Sequence, residues 1–278
     1  MTDAKLAEPW IERWTEVKGA RIRYFVAGEG EPVLLVHGLG GSATNWCELV
    51  PLLAAERRVV VPDLPGHGGS EPLPAVASLG SFADRVAAVA EREDAMPAPV
   101  VGHSLGGLVV LHLALRHPAH VTKLVLAASA GLSTGTRFQR SLVTASMVMR
   151  PGRLVARHTD RIARSPWLRR TLFGVYYVAD PAGMTDAALR GFLAGHLLHA
   201  DIASAWRALR TDDPREQLES IRCPVLVLWG SLDAQLPLDD AFEYTRRLRA
   251  RLRVIPECGH LLIGERPDAC ADAILSFV

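Results

Sequence analysis

Ser104 stands in a sequence context that could turn its hydroxyl into a nucleophile. It is the central residue of Gly102-His103-Ser104-Leu105-Gly106, which matches the pattern G-x-S-x-G. The β-branched Val100 and Val101 before this motif predict a buried strand, and the apolar residues 105–115 predict a helix. Such a turn would lift the hydroxyl clear of a sheet, at a helix N-terminus that favours negative charge. The flanking glycines, which lack a Cβ atom, suit a strained turn.

Two residues further along the chain could activate this hydroxyl. A serine is a poor nucleophile at neutral pH, so it needs a base to accept its proton and a third group to orient that base. On a fold of this kind, an acid and then a histidine are expected at the ends of later strands. Asp233 follows the apolar run 224–229, and His260 follows the run 252–255.

The elements that would position these three residues alternate between strands and helices. Besides the strand before Ser104, short apolar or alternating runs predict strands over 13–17, 21–26, 32–36, 58–61, 121–127, 224–229 and 252–255. Apolar residues at helical spacing predict further helices over 45–55, 81–92, 241–248 and about 267–277. This alternation is typical of an α/β fold with a mainly parallel sheet and helices on both faces.

One long segment departs from the alternation. Residues from about 131 to 218 contain no convincing strand and predict several helices, broken at 151–152, 165–166 and 180–183 by proline or glycine. A helical excursion between two strands of a sheet predicts a lid or cap over an active site. We therefore expect a catalytic core of residues 1–131 and 216–278, with a helical cap inserted at 132–215.

Over almost its whole length the chain resembles the α/β-hydrolase superfamily, in the manner of serine esterases and lipases. Five motifs in family order carry the resemblance, each after a predicted strand. They are His37-Gly38-Leu39-Gly40-Gly41, Asp63-Leu64-Pro65-Gly66-His67-Gly68, Gly102 to Gly107, Trp229-Gly230 with Asp233, and Gly259-His260 with Glu265 and Pro267. The resemblance implies an eight-stranded, mainly parallel sheet, but it does not extend to the predicted cap.

The resemblance also implies a role for each matching residue. Ser104 would be the nucleophile, His260 the general base and then acid, and Asp233 the carboxylate that orients His260. The backbone N–H groups of Leu39 and Leu105 would form the oxyanion hole, and their side chains would line the acyl pocket. The supporting loop residues would be His37, Gly38, Gly40, Gly41 and His103. No cofactor and no metal ion are implied.

Other residues compete for these roles. Asp239 and Asp240 could replace Asp233, but they are better suited to the N-cap and first turn of the helix predicted at 241–248. Six histidines lie outside the motifs, on or after the helix that follows Ser104 or in the predicted cap: His112, His117, His120, His158, His196 and His199. Residues 38–43 also fit G-x-G-x-x-A, which imitates a dinucleotide fingerprint with Asp63 as its acid.

Composition excludes several classes of function. The formal net charge of +1 over 278 residues gives no sign of a nucleic-acid partner. The four cysteines are scattered and form no C-x-x-C pair, which argues against a disulfide framework or a structural metal. Residues 1–12 lack the apolar core of a signal peptide, and no stretch of transmembrane length is free of charge. We therefore expect a cytoplasmic protein without an integral membrane segment.

The predicted cap is rich in arginine. Residues 137–170 contain nine arginines and a single carboxylate, that of Asp160. These arginines could form the solvated face of amphipathic helices, or they could attract an anionic substrate or an anionic lipid surface. Apolar pocket residues could come from Met147, Met149, Trp167, Phe173, Tyr176 and Tyr177, which would serve equally well as cap core.

Together these features predict a serine hydrolase that cleaves carboxylic esters of small to medium, largely apolar acyl groups through an acyl-enzyme. The same three residues could serve a lactonase, an amidase or a hydrolase of carbon–carbon bonds next to a ketone. A non-hydrolytic lyase or transferase, or a ligand receptor on the same scaffold, would also fit. The sequence leaves the natural substrate and the oligomeric state open.

Overall fold

A computed structural model of the protein describes residues 10–133 and 151–278. The candidate arginines and methionines at 137, 140, 147, 149 and 150 therefore lie outside the described residues, as does the side chain of Tyr176. Within these ranges the structure has eight strands: β1 Ile11–Val17, β2 Ala20–Ala27, β3 Pro32–Val36, β4 Arg58–Pro62, β5 Ala98–His103, β6 Val121–Ala127, β7 Val225–Gly230 and β8 Arg251–Ile255.

All eight strands form one sheet in the order β1-β2-β4-β3-β5-β6-β7-β8. The pairs β1–β2 and β2–β4 are antiparallel, and every other neighbouring pair is parallel. Strands β3, β5 and β7 are almost entirely buried, as their continuous apolar sequences predict for strands covered on both faces. The predicted eight-stranded, mainly parallel α/β sheet is thus confirmed.

Twelve α-helices occur in the described ranges. They are α1 Leu49–Ala54, α2 Leu79–Arg92, α3 Leu105–Arg116, α4 Pro151–Ala156, α5 Thr159–Ala163, α6 Pro166–Leu172, α7 Gly174–Tyr177, α8 Asp186–Leu198, α9 Ile202–Thr211, α10 Leu238–Leu248, α11 Leu262–Glu265 and α12 Pro267–Leu275. Two 3₁₀ segments, Ala43–Trp46 and Arg215–Ser220, complete the connections.

Two predicted helices differ from the structure by three residues or more at their starts. The single helix expected over 45–55 is a 3₁₀ turn followed by the short α1, because Pro51 cannot continue a helix that includes residue 47. Helix α10 begins three residues earlier than predicted, and its N-cap is Pro237. Asp239 and Asp240 therefore both lie in its first turn, so the N-cap assignment was wrong.

Helices α4 to α9, called the inserted helices below, lie between β6 and β7. Their starts follow local capping chemistry: the Thr185 hydroxyl accepts a hydrogen bond from the Ala188 N–H at 3.0 Å, and Asp201 accepts one from Ser204 at 3.1 Å. The side chain of Arg169 is buried, donates to the carbonyl of Met184 at 2.6 Å and pairs with Asp186. Arg169 therefore fits neither of the two roles considered for these arginines, a solvated face or an anion site.

Candidate active site

Ser104 lies on a strained turn between β5 and α3. Its φ of 54° and ψ of −117° fall in the left-handed half of backbone space, which non-glycine residues rarely adopt. The turn requires small neighbours. A Cβ atom at Gly106 would lie 2.6 Å from the carbonyl oxygen of His37, and one at Gly102 would lie 2.6 Å from a methyl group of Val110. The two glycines therefore let α3 start directly against β3.

The structure brings the side chains of Ser104, His260 and Asp233 together. The Nε2 atom of His260 lies 3.1 Å from Oγ of Ser104, and its Nδ1–H donates to Oδ2 of Asp233 at 2.8 Å. The other carboxylate oxygen accepts hydrogen bonds from the N–H groups of Gln235 and Leu236, at 2.8 and 2.9 Å. This leaves the Nε2 lone pair of the neutral imidazole facing the hydroxyl.

The competing acids are placed differently. Asp240 accepts hydrogen bonds from the backbone N–H and the hydroxyl of Ser133, at 3.0 and 2.7 Å. Asp239 is exposed on α10. Neither carboxylate contacts His260, so Asp233 is the acid that the fold aligns with this imidazole.

The loop that carries His260 is fixed by its neighbours. Glu265 is buried and accepts hydrogen bonds from the N–H groups of Gly259, Ala179 and Asp180, at 2.8 to 2.9 Å. The Nε2–H of His103 donates to the carbonyl of His260 at 2.9 Å. Burial, and then the nearby His260, lower the pKa of His103 to about 3, so this ring stays neutral at physiological pH.

The two predicted oxyanion donors lie on either side of the Ser104 turn. Leu105 is the first residue of α3, so its N–H has no acceptor within the helix. Leu39 follows Gly38, where a Cβ would lie only 3.0 Å from Cβ of Ser104. Within the described ranges, no hydrogen bond from either N–H is found. The Leu39 side chain lines the cavity, whereas that of Leu105 is buried in the core, so the expected pocket role of Leu105 was wrong.

The loop before Leu39 is held by His37. Its Nδ1–H donates to the carbonyl of Gly38 at 2.8 Å, and its Nε2 accepts the N–H of Leu64 at 2.9 Å. Burial lowers the pKa of His37 to about 4, which keeps the ring neutral and both hydrogen bonds intact. The loop continues into a 3₁₀ turn, and the carboxylate of Asp63 is engaged by buried Arg23 at 2.7 Å. These features disfavour the dinucleotide interpretation.

A cavity of about 1060 Å³ opens over Ser104 and His260, between the sheet and the inserted helices. Apolar side chains such as Phe173, Phe192 and Leu193 form much of its lining. The charged residues that line it include Arg153, Arg210, Asp212, Asp213 and Arg215, of which Asp213 and Arg215 form an ion pair. Of the aromatic candidates, Phe173 and Tyr177 line the cavity, while Trp167 is 70% exposed on α6 and does not.

The described ranges contain no metal-binding cluster, no disulfide and no membrane-spanning helix. Among residues 10–133 and 151–278, no group of three or more His, Cys, Asp or Glu residues could hold a metal ion. The four cysteines are free thiols. None of the helices described is long and apolar enough to cross a membrane.

Sequence reasoning missed one residue close to this site. His199, named only as one of several cap histidines, follows α8 and donates from Nε2–H to the carbonyl of Gly40 at 2.8 Å. No motif marks it, because its contact depends on how α8 packs against a loop 159 residues earlier in the chain.

Comparison with known proteins agrees with this architecture. A sequence family described as having the alpha/beta hydrolase fold matches residues 31–267. The chain is 34% identical over 273 residues to the dihydrolipoyllysine-residue acetyltransferase component of an acetoin cleaving system from Pseudomonas putida, covering 95% of this chain and 68% of that protein.

Two further relatives have different reactions in their names. A 2-hydroxy-6-oxo-6-phenylhexa-2,4-dienoate hydrolase from Burkholderia cepacia is 30% identical over 274 residues, covering 93% of this chain and 91% of that protein. A pimeloyl-[acyl-carrier protein] methyl ester esterase from Vibrio atlanticus is 30% identical over 261 residues, covering 91% and 96%. Equal identity to a dienoate hydrolase and to a methyl ester esterase means that identity alone does not select the reaction.

Proposed function

Because the chain belongs to the α/β-hydrolase family, we propose that it is a serine hydrolase that cleaves carboxylic esters of small to medium, largely apolar acyl groups. The observation that carries the proposal is the pair of hydrogen bonds that links Ser104 Oγ through His260 to Asp233, at 3.1 and 2.8 Å. A hydroxyl, an imidazole and a carboxylate in this order supply a nucleophile, its base and the group that orients the base.

The first half-reaction forms an acyl-enzyme. Ser104 Oγ attacks the ester carbonyl while Nε2 of His260 takes the hydroxyl proton, and a tetrahedral oxyanion results. His260 then gives this proton to the leaving alkoxide as the carbon–oxygen bond breaks. In the second half, water attacks the acyl carbon and loses a proton to His260. That proton returns to Ser104 as the acid leaves.

The N–H groups of Leu39 and Leu105 are the donors proposed for the oxyanion. Both lie beside Ser104, and neither has an acceptor among the residues described. Backbone donors fixed before the reaction need no reorganisation when negative charge develops, and one such donor contributes about 10²–10³ in kcat.

We assign substrate selection to the inserted helices, as a cap over residues 132–215. Their apolar side chains, among them Phe173 and Phe192, supply much of the cavity lining and favour an apolar acyl group. Arg153 and Arg210 also line the cavity, and no acidic partner is found for either among the residues described. An ester with a negative charge at its distal end would gain from these arginines.

Hydrolysis of a carbon–carbon bond next to a ketone is the second candidate. The match to the Burkholderia cepacia relative covers 93% of this chain, and the substrate in that relative's name carries a ketone at carbon 6 and no ester. The same nucleophile, base and acid could serve both reactions, so the choice between them depends on the substrate that the cavity holds.

A substrate panel with a matched variant tests the proposal. Purified protein is assayed on p-nitrophenyl esters of graded chain length, with lactones, amides and 2-hydroxy-6-oxo-6-phenylhexa-2,4-dienoate beside them. We expect the esters to be turned over fastest and Ser104→Ala to lower kcat by roughly 10⁴-fold or more. A fluorophosphonate should label the native protein at Ser104 and leave the variant unlabelled. Ester hydrolysis retained in Ser104→Ala would contradict the assignment, and faster turnover of the dienoate would favour the second candidate.

A further inference from the structure

His199 links the inserted helices to the loop that carries Leu39. It lies directly after α8, and its side chain is buried. Its Nε2–H donates to the carbonyl of Gly40 at 2.8 Å, and its Nδ1 accepts the N–H of Gly68 at 3.0 Å. These two partners fix one neutral tautomer and one orientation of the ring.

Backbone hydrogen bonds connect the Gly40 carbonyl to the peptide that carries the Leu39 N–H. The Gly40–Gly41 peptide has its carbonyl held by His199, and its N–H donates to the carbonyl of Gly38 at 3.1 Å. That carbonyl also accepts the Nδ1–H of His37 at 2.8 Å. In a planar trans peptide the N–H points opposite to the C=O, so fixing the Gly38 carbonyl fixes the direction of the Leu39 N–H.

The turn needs such restraint because it contains three glycines. Gly40 has a φ of 68°, and a Cβ at Gly41 would lie 2.8 Å from the side-chain nitrogen Nδ2 of Asn45. Glycine is the residue with the most conformational freedom to lose, so without outside contacts this turn would sample other conformations. Hydrogen bonds in a chain also polarise one another, which strengthens the outermost donor.

Helix α8 is itself docked closely against the core. The Thr44 hydroxyl donates to the carbonyl of Gly191 at 2.7 Å. A Cβ at Gly191 would lie 2.7 Å from Sγ of Cys47, and one at Gly195 would lie 2.9 Å from Oγ of Ser42. Gly191, Gly195 and His199 are spaced four residues apart and lie on one side of the helix. The packing of the two glycines therefore brings the imidazole to the turn.

We propose that His199 is a positioning residue, which acts through Gly40 and Gly38 to hold the Leu39 N–H in place for the oxyanion. Helix α8 then belongs functionally to the catalytic core, although it lies among the inserted helices. The inference rests on the proposed function in one respect, the use of the Leu39 N–H as a donor.

Three variants test this role. His199→Phe keeps a planar ring, slightly larger than imidazole, and removes both hydrogen bonds, and His199→Gln keeps an amide that can donate to Gly40. Thr185→Ala removes the N-cap of the same helix and its hydrogen bond to Glu48, but removes no contact to residues 38–41. For a p-nitrophenyl ester we expect His199→Phe to lower kcat by roughly 10- to 100-fold and to change KM less than about 3-fold. His199→Gln should recover part of the loss, and Thr185→Ala should stay within about 2-fold of the native kcat.

The rate at which a fluorophosphonate labels Ser104 gives a readout that needs no substrate, because the phosphonyl oxygen occupies the oxyanion position. We expect the labelling rate to fall in His199→Phe in parallel with kcat. A native labelling rate in a folded His199→Phe protein, or an equal fall in Thr185→Ala, would overturn the positioning role alone. If the native protein itself is not labelled at Ser104, the proposed function fails instead.

Discussion

The sheet-based core and the inserted helices face each other across the cavity and fix their side chains in different ways. In the core, Ser104, Asp233 and His260 follow β5, β7 and β8, which belong to the parallel part of one sheet, so their separation is set by the backbone of the sheet. In the inserted helices, hydrogen bonds from side chains hold the segments together, as when Arg169 donates to the carbonyls of Ala163 and Met184. The geometry needed for reaction is thus tied to the fold, while the opposite side of the cavity can change with individual side chains.

The first prediction tests how much room each region leaves for a side chain. Gly106→Ala places a Cβ 2.6 Å from the carbonyl oxygen of His37, whereas Gly174→Ala places one where no atom lies within 4 Å, although at a φ of 48°. We expect Gly106→Ala to lose about 3 kcal/mol or more of stability and most activity. Gly174→Ala should lose about 1 kcal/mol and keep its activity.

Urea denaturation and ester turnover of both variants measure these effects. Equal losses of stability in the two alanine variants would contradict the distinction between a backbone-defined core and a more permissive set of inserted helices.

The second prediction concerns the pH dependence of stability, to which buried histidines from both regions contribute. Burial, the largest cause in each case, lowers the pKa of His37 to about 4, of His67 and His103 to about 3, and of His199 to about 2. The unfolded chain takes up protons on these rings below pH 6.5, while the folded protein does not. These neutral rings therefore contribute to the free energy of unfolding above pH 6.5, and their contribution is lost as the pH falls.

Between pH 7 and pH 6 we expect a loss of about 0.7 kcal/mol for each of the four histidines, or about 3 kcal/mol in total. Denaturation midpoints at the two pH values measure it, in a window above the range where most carboxylates titrate. His199→Gln should show a shallower dependence, since it lacks one of the four rings. A stability that does not change over this window would contradict the prediction.

The smallest expected effect concerns charge selection by the inserted helices. Arg153 lines the cavity, while Arg157, four residues along, is exposed and does not line it. For an ester with a distal carboxylate, we expect Arg153→Gln to raise KM by about 3- to 10-fold, since the attraction is weakened by solvent. KM for a neutral ester of the same length should stay within about 2-fold.

Arg157→Gln is the matched control and should change neither KM. Equal changes on the charged and neutral esters would count against a charge-selective site. An equal effect of Arg157→Gln would point to the general basic field of this region instead.

Much of the core could be predicted from the sequence, because buried parallel strands appear as short apolar runs and all of them except β6 are followed by a motif with a geometric requirement. Ser104, Asp233 and His260 were therefore assigned to strand ends that the structure brings together. Where the sequence prediction failed, distant contacts decided the outcome. The sequence does not distinguish Arg169 from the surface arginines, because its burial depends on the packing of α6 near Met184. His199 has no local signal, since its partner Gly40 is 159 residues away.

The close packing of α8 has a consequence for building chimaeras within the family. Exchanging residues 132–215 for those of a relative would remove Gly191, Gly195 and His199 together, and with them the surface that meets residues 42–47. A donor sequence would have to present two small residues and a hydrogen-bonding ring at the same four-residue intervals. A safer junction lies before Asp186, so that α8 stays with the sheet and only the helices ahead of it are exchanged.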